Sequence, residues 1–337
     1  MRRKLLILGI DCLDPYLVMK WHIKDFVLIK HGIHFVGYDL YTPIIWAKFL
    51  TGINVEERGF SSRNLMFKKR LATFYGLFNI ITNIVKKHSS QHNEEKVKNL
   101  SIFKNLSSMV KCYKNNIVEV IRRAAIKYIS NDFDLTKLSL IELILIKLIM
   151  RASLIEKLPK KLYKHTFLYD ARRYGLKSLV IHFPPINDYI YSILRNMLYF
   201  FVDLPSQVRM IFLESVWKLT YESINVLMNA IKESNYELVL WYTPYIDIAS
   251  HMFYRKNIAY LIKLRIAYGK LASLVRNVID VALSQDYDIL IVSDHGFNAK
   301  KMDHSHFGYW SLSWNPPYTP NKVTDFANIV KIHLNIR

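Results

Sequence analysis

Short apolar runs alternate along the chain with longer stretches in which apolar residues recur at helical spacing. The short runs are rich in β-branched residues, as is typical of strands buried on both faces of a parallel sheet. We predict such strands at residues 4–10, 178–183, 237–241 and 288–293. Residues at roughly 207–232 and 253–284 have the periodicity of long helices. The alternation predicts an α/β fold, with a mostly parallel sheet flanked by helices.

The stretch at 63–165 has a different pattern. It contains stretches with helical periodicity that are separated by polar linkers such as 87–93, and it has no convincing strand. Between residues 61 and 170 there are 21 Lys or Arg and 8 Asp or Glu, so 13 of the 20 net positive charges lie there. We therefore predict a core formed by 1–62 and 166–337, interrupted by a basic helical cap. The positive electrostatic potential of such a segment attracts phosphorylated substrates, polyanions or anionic lipid, and it does not select among them.

Composition limits the class of protein. About half of the residues are apolar, which excludes a disordered chain. Cys12 and Cys112 are too few for a disulfide framework or a thiolate metal site, and they favour a reducing compartment. Basic residues precede the apolar run at 4–10 as in a signal peptide, but the run ends at Asp11 without a small-residue cleavage site. We predict a folded cytoplasmic protein whose first strand occupies this run.

Two apolar segments, 71–85 and 138–150, are candidates for membrane contact. Neither reaches the ~20 uninterrupted apolar residues of a spanning helix, so we predict no transmembrane segment. Basic residues flank the first segment, and this arrangement also suits a helix lying on an anionic membrane surface. We favour a helix packed on the protein's own core, with peripheral membrane contact of the basic cap as the alternative.

Carboxylates and imidazoles follow the predicted strands. Asp11 follows the first strand, Asp294 and His295 follow the last, and Asp247 lies six residues beyond Trp241. In open parallel sheets ligands bind beyond the carboxyl ends of the strands, so these groups should meet at one edge. Such side chains bind Zn²⁺ and, where carboxylates dominate, Mn²⁺ or Mg²⁺. The pattern predicts a cation site at this edge.

Other histidines extend this set. His251 follows Asp247 by four residues, which places both side chains on one face if the segment is helical. Taken alone, that pair is more simply explained as a surface contact. His304 and His306 lie close together in a polar loop, where histidines are usually solvated, and each is only a candidate ligand.

Thr42 is the candidate nucleophile. Pro43 holds Thr42 extended, and the residues after it can form a helix, so Thr42 is predicted at a helix N-terminus. That position favours a phosphate or a developing anion. A metal would have to activate the hydroxyl, since an unassisted one is a poor nucleophile near neutral pH. The simpler alternative is an N-cap threonine. Thr51 before Gly52 is predicted to end the same helix.

The order of these motifs resembles the alkaline phosphatase superfamily, and within it the type I phosphodiesterases and nucleotide pyrophosphatases. The resemblance rests on Asp11, Thr42-Pro43, Thr51-Gly52, Asp247-x-x-x-His251, Asp294-His295-Gly296 and His304-Ser305-x-x-Gly308. It covers roughly 1–62 and 167–337, with 175–185 as the family's second strand and proline-rich turn. The cap is not covered.

The resemblance implies two divalent cations, with zinc as the first choice and manganese as the alternative. The ligands of one would be Asp247, His251 and His304. The ligands of the other would be Asp11, Asp294, His295 and the Thr42 oxygen. His304 is preferred to His306 because the family's pattern places a serine next. The resemblance also implies attack of Thr42 on the phosphorus of a nucleotide-like or other small phosphorylated substrate, which gives a phosphothreonine that is then hydrolysed.

Two positions depart from the family's pattern. Ile45 stands where nucleotide pyrophosphatases carry an asparagine that binds a phosphoryl oxygen, and Arg58 replaces a common histidine. Backbone groups at 43–46 or a lysine of the cap would have to stabilise that charge instead. The departures bear on the substrate class more than on metal binding. Because threonine nucleophiles belong to the diesterase branch, the resemblance favours hydrolysis of phosphodiesters.

Two alternatives stay open at this point. A phosphotransferase that passes the group to a lipid- or sugar-linked alcohol would share its first step with the hydrolase. A basic nucleic-acid-binding protein without activity belongs to a different class. Its binding would weaken steeply with salt and would not depend on metal, because phosphate contacts release counterions.

Overall fold

A six-stranded sheet forms the centre of the protein in the computed structural model, which describes residues 3–69, 155–202, 206–254 and 257–336. The strands are β1 (Lys4–Ile10), β2 (Lys30–Phe35), β3 (Ser178–Ile181), β4 (Leu238–Thr243), β5 (Tyr287–Val292), β6 (Phe297–Asn298), β7 (Asp303–His304) and β8 (Phe307–Leu312). The sheet has the order β2-β8-β5-β1-β4-β3, and β6 and β7 form a separate antiparallel pair.

The parallel centre of the sheet comes from its most apolar strands. β1 lies between β4 and β5 and is parallel to both, with Leu5 opposite Leu238 on one side and Asp288 on the other. β3 extends the parallel part beyond β4. Every residue of β4 is buried, as expected for a strand covered on both faces. The four predicted strands are confirmed, with ends that differ from the prediction by at most two residues.

The sequence pattern does not predict β2 and β8, which are antiparallel to each other and complete the sheet beside β5. β2 has the sequence KHGIHF and is exposed along much of its length. Its polar residues and central glycine interrupt the apolar run that identifies a buried strand. The sheet is therefore mixed, with an antiparallel edge on a parallel centre.

Helices flank this sheet. They are α1 (Pro15–Lys20), α2 (Thr42–Thr51), α3 (Lys160–Tyr163), α4 (Phe167–Arg173), α5 (Tyr189–Phe201), α6 (Ser206–Glu233), α7 (Tyr245–Phe253), α8 (Ile258–Ser284) and α9 (Asp325–His333). The prediction of a long helix at 207–232 is confirmed by α6. The predicted start of the next helix at 253 is wrong. A new helix begins at Ile258 because Asn257 caps it, with its side chain accepting from the amides of Ala259 and Tyr260.

Most of the predicted cap lies outside the described residues, which include only 63–69 and 155–165 of it. The apolar segments 71–85 and 138–150 and Cys112 also lie outside them. Within the part of the chain that the structure describes, none of the helices combines the length and apolar content that crossing a bilayer requires.

Candidate metal centre

Two loops at the carboxyl edge of the sheet are joined by a hydrogen bond from Phe297 to Asp14. Asp14, in the loop after β1, accepts a hydrogen bond of 2.9 Å from the amide of Leu17 and so caps α1. Its other oxygen accepts from the amide of Phe297, also at 2.9 Å, beyond β5. A side chain on Gly296 would place a Cβ only 2.9 Å from that oxygen, so this close approach favours glycine. The loops after β1 and β5 are therefore held together.

The residues that these two loops carry form an inner cluster of Asp11, Asp294 and His295. All three side chains are fully buried. His295 Nε2 lies 3.2 Å from Asp11 Oδ1 and 3.4 Å from Asp294 Oδ2. In the described part of the chain none of these three atoms has a hydrogen-bond partner. Three polar atoms thus converge on one buried point, and no described residue donates to or accepts from them.

Hydrogen bonds to the other atoms of the cluster fix its orientation. The Tyr242 hydroxyl donates to Asp11 Oδ2. Asp294 Oδ1 accepts from the amides of Cys12 at 3.3 Å and His295 at 3.1 Å. Asp11 Oδ1 and Asp294 Oδ2 are consequently the oxygens left to face His295.

The protonation of the His295 ring follows from its second nitrogen. Nδ1 lies 3.1 Å from the carbonyl oxygen of Gly296, which can only accept a hydrogen bond. The proton of the neutral ring therefore lies on Nδ1, and a lone pair on Nε2 points at the two carboxylates. A backbone carbonyl that fixes the tautomer in this way is a common feature of metal-binding histidines.

The buried charges of the inner cluster disfavour its ionised form in the absence of a cation. Burial raises the pKa of Asp294 well above its ordinary value, and the charge of Asp11 raises it further. Burial, followed by the charge of His304, lowers the pKa of His295. Two facing carboxylates and a neutral imidazole would instead be compensated by a divalent cation between them.

An outer cluster is formed by Asp247, His251 and His304. Helix α7 presents Asp247 and His251 on one face, as the spacing predicts, and β7 supplies His304. Asp247 Oδ1 lies 3.3 Å from Nε2 of each histidine, and the two Nε2 atoms are 2.9 Å apart. His304 Nδ1 lies 3.0 Å from the carbonyl of Leu40, so Nε2 is again the nitrogen that carries the lone pair when the ring is neutral.

In the outer cluster, neighbouring groups shift the pKa values of Asp247 and His304. Burial disfavours the charged form of Asp247, but the neighbouring His251 and His304 together outweigh burial and hold the pKa of Asp247 well below its usual range. Burial likewise disfavours protonated His304, yet Asp247 raises the pKa of His304 to about 9. The carboxylate therefore attracts positive charge, either a proton or a metal cation.

The two clusters adjoin. The rings of His295 and His304 stack with their centroids 3.7 Å apart and their planes inclined by 17°. The Cys12 sulfur and one ligand atom each of Asp247 and His295 all lie within 4.8 Å of one another. Burial, then the nearby Asp247, raises the pKa of the Cys12 thiol well above its usual value. Sequence reasoning did not place Cys12 in the site, because an isolated cysteine carries no spacing signal.

Ligand separations in both clusters fit a bound cation. In a tetrahedral zinc site with bonds of about 2.0 Å, the ligand atoms lie about 3.3 Å apart. The distances from His295 Nε2 to the two inner carboxylate oxygens, and those among the outer ligand atoms, run from 2.9 to 3.4 Å. Carboxylate oxygens and imidazole nitrogens also suit zinc or manganese. Each triad of side chains could thus hold one divalent cation.

Thr42 lies at the N-terminus of helix α2 as predicted and lines the same cavity as the outer cluster. Tyr41 is the extended N-cap residue, so Thr42 is the first helical residue, and both the extended conformation and the N-cap alternative predicted for it are wrong. Thr42 is nearly buried, and the cavity has a volume of about 670 Å³. Thr51 and the left-handed Gly52 end the helix as predicted. The apolar side of the cavity includes Met66, Leu198, Val202 and Met302, and its charged side includes Lys69, Glu156 and Arg195.

Neither of the two residues that depart from the family's pattern, Ile45 and Arg58, has its side chain at the cavity. Ile45 is buried in the core and Arg58 is exposed in a short turn. The backbone amides of Ile44 and Ile45 do not substitute for them, since both already donate to the carbonyl of Tyr41, at 2.8 and 3.2 Å. Lys69, within the predicted cap, does line the cavity.

Of the seven residues predicted for the site, Thr42, Asp247, His251 and His304 line this cavity. The other three, Asp11, Asp294 and His295, form the buried inner cluster, which adjoins the outer one where His295 stacks on His304. His306 does not line the cavity, because its Nδ1 lies 2.9 Å from the carbonyl of Gly37 and its ring lies against Tyr38. Sequence reasoning missed the charged side chains of Lys69, Glu156 and Arg195, which are distant in sequence and match no motif. The chain matches no protein-family model, and no curated protein sequence matches it significantly.

Proposed function

We propose that this protein hydrolyses phosphoric diesters at a pair of divalent cations, with Thr42 as the nucleophile. The observation that carries the proposal is the pair of adjoining triads of carboxylate and imidazole ligand atoms, of which the outer triad lines one cavity together with Thr42. Deeply buried carboxylate and imidazole atoms that have no hydrogen-bond partner among the described residues are costly unless a cation satisfies them. If these residues had a purely structural role, nothing would offset the free-energy cost of burying them.

Each triad has a defined part in the proposed site. The inner cation would be held by Asp11, Asp294 and His295, with the Thr42 oxygen as a further ligand. The outer cation would be held by Asp247, His251 and His304. Zinc is the first choice and manganese the alternative. When bound, the two cations would polarise the threonine hydroxyl and neutralise charge on the phosphoryl oxygens.

Thr42 would perform the chemical step. Its place at the start of α2 suits a nucleophile, because the positive end of a helix favours both a phosphate and a developing alkoxide. The threonine oxygen would form a bond to phosphorus while the bond to the leaving alcohol breaks. Water would then cleave the phosphothreonine and restore the free hydroxyl.

Charge at the cavity supports a diester rather than a monoester. Lys69 and Arg195 line it, and both form ion pairs with Glu156. Arg195 also pairs with Asp188. These cations are thus largely neutralised by protein carboxylates. A phosphodiester carries one negative charge, whereas a monoester near neutral pH carries close to two and needs more positive charge from the protein. The cavity volume also suits a small-molecule or nucleotide-like substrate.

A comparison of two chromogenic esters tests this proposal. We expect bis-p-nitrophenyl phosphate to be hydrolysed at least about 10-fold more efficiently than p-nitrophenyl phosphate, which corresponds to about 1.4 kcal/mol of transition-state preference. Activity should require added Zn²⁺ or Mn²⁺ and disappear with a chelator. The measurement is kcat/KM for each ester with each metal.

The opposite preference would reverse the substrate assignment and leave the metal centre standing. Turnover of either ester that persists after complete removal of metal would contradict the two-metal mechanism itself.

Transfer to an alcohol is the second candidate function, and the apolar side of the cavity favours it. Met66, Leu198, Val202 and Met302 could contact the hydrocarbon part of a lipid-linked or other apolar acceptor. In the same assay, an added alcohol that raises nitrophenol release and appears as a phosphorylated product would indicate transfer. Binding of nucleic acid without catalysis would leave the buried ligand atoms of both clusters unexplained.

A further inference from the structure

A chain of buried polar contacts connects residues near both ends of the predicted cap with the inner cluster. We propose that Tyr242 and Arg195 are positioning residues that couple the ion pair between Lys69 and Glu156 to the candidate metal ligand Asp11. We call these four residues, Lys69, Glu156, Arg195 and Tyr242, the relay. This inference rests on the proposed metal centre and adds a control of cation affinity by the cap.

The first contact of the relay determines which oxygen of Asp11 faces the cation. Tyr242 is fully buried in β4, the strand beside β1, and its hydroxyl donates to Asp11 Oδ2. Oδ1 is the oxygen that lies 3.2 Å from His295 Nε2 and has no hydrogen-bond partner in the described part of the chain. Tyr242 therefore fixes the rotation of the carboxylate and leaves Oδ1 toward the candidate cation.

Arg195 in α5 holds the Tyr242 hydroxyl in this role. Its Nη1 donates to the Tyr242 oxygen at 2.8 Å, so the hydroxyl hydrogen is directed away from Arg195 and toward Asp11. Its Nη2 lies 2.5 Å from Asp188 Oδ2 and 3.4 Å from Glu156 Oε2. A planar guanidinium that is held at two of its nitrogens has little freedom to rotate.

The remaining contacts join the two ends of the cap. Lys69 Nζ forms an ion pair with Glu156 Oε1, and 87 residues separate the two positions. Both side chains are at least nine-tenths buried. Ser192 donates to Glu156 Oε2 at 2.6 Å, so both carboxylate oxygens are engaged. Lys69 also donates to the hydroxyl of Tyr41, which precedes Thr42, at 2.6 Å.

Such a network transmits a change at one end because its members are buried and mutually oriented. Buried hydrogen-bonded charges interact more strongly than exposed ones, and removal of one leaves its partner unsatisfied. Loss of the Lys69–Glu156 pair would loosen Glu156 as a partner of Arg195 and leave Asp188 as the main carboxylate that holds the guanidinium. The Tyr242 hydroxyl and the Asp11 carboxylate would then be less firmly oriented. The expected consequence is weaker binding of the inner cation, without any change in its ligands.

Replacement of Tyr242 by phenylalanine tests the last contact. We expect Tyr242→Phe to weaken binding of the inner Zn²⁺ by about 10–100-fold, the usual effect of losing a group that orients a metal ligand. Tyr287→Phe is the matched control, since Tyr287 is buried and its hydroxyl donates at 2.6 Å to the carbonyl of Tyr236, beyond the other end of the sheet. The measurement is competition for Zn²⁺ with a chromophoric chelator, without substrate.

A double-mutant cycle tests the coupling to the cap. Glu156→Gln should weaken Zn²⁺ binding by several-fold in the wild-type background and should have little further effect in Tyr242→Phe, because the relay is already broken there. If Glu156→Gln fails to fold, Lys69→Met against the charge-preserving Lys69→Arg takes its place. Lys69→Met should weaken Zn²⁺ binding, and Lys69→Arg should retain most of the affinity.

The possible failures are distinguishable. A wild-type protein that binds no Zn²⁺ would contradict the proposed function and the relay together. Normal Zn²⁺ binding by Tyr242→Phe would overturn the positioning role and leave the proposed metal centre intact. Fully additive effects of Glu156→Gln and Tyr242→Phe would overturn the coupling to the cap.

Discussion

Replacing Thr42 by alanine should lower phosphodiester turnover by a factor on the order of 10³ or more, because removal of a nucleophile eliminates the covalent route. Affinity for Zn²⁺ should change far less, since six side-chain ligands remain in the two clusters. Thr42→Ala should also remain folded, because its main change is the loss of one hydroxyl at the cavity. The measurements are kcat with bis-p-nitrophenyl phosphate and Zn²⁺ affinity.

Thr51→Ala is the matched control for this experiment. It makes the same substitution at the other end of α2, where the Thr51 hydroxyl donates to the carbonyl of Ala47 at 2.7 Å. A cost of about 1 kcal/mol in stability and no specific loss of kcat are expected there. Comparable turnover by Thr42→Ala and wild type would show that another group, or water, attacks phosphorus. The proposed phosphothreonine intermediate would then be wrong.

Replacing Asp294 by asparagine should have opposite effects on metal binding and on stability. The amide oxygen can still accept from the amides of Cys12 and His295, while an amide nitrogen replaces the oxygen that faces Asp11 and His295. That nitrogen is a poor ligand, so affinity for the inner Zn²⁺ should fall by at least about 100-fold. The metal-free protein should gain roughly 0.5–2 kcal/mol, because a buried carboxylate that faces another is removed.

The stability of metal-free Asp294→Asn is measured by urea denaturation, and its Zn²⁺ affinity by calorimetry. Asp288→Asn is the matched control, since Asp288 lies near the other end of β5 and pairs with His333 at 3.0 Å. It should leave Zn²⁺ binding unchanged. If Asp294→Asn bound both cations as tightly as wild type, Asp294 could not be a metal ligand.

The sequence alone predicted the parallel centre of the fold, because a strand that is buried on both faces has a short apolar run as its sequence. It also predicted which ligand-type residues would meet, since Asp11, Asp247 and Asp294 lie at or just beyond the ends of adjacent parallel strands. The order of motifs then added His251, His304 and Thr42. Geometry brings these residues together, whereas metal binding and activity remain predictions.

Other features could not be predicted because they depend on tertiary contacts. β2 is an exposed strand with a glycine and several polar residues, so its place in the sheet comes from pairing with β8. Arg195 lies in an apolar amphipathic helix, where a single arginine predicts a solvated side chain. Only the fold reveals that Arg195 contacts Tyr242 and Glu156. The helix break before Ile258 depended on a single capping side chain, Asn257.

The number of zinc ions that each chain binds is the most direct test of the metal centre. Native mass spectrometry of the metal-free protein titrated with Zn²⁺ should show two ions per wild-type chain. Asp294→Asn should retain one, held by Asp247, His251 and His304, and His251→Ala should retain the other. A wild-type chain that binds no Zn²⁺, or one whose stoichiometry is unchanged by both substitutions, would contradict the account.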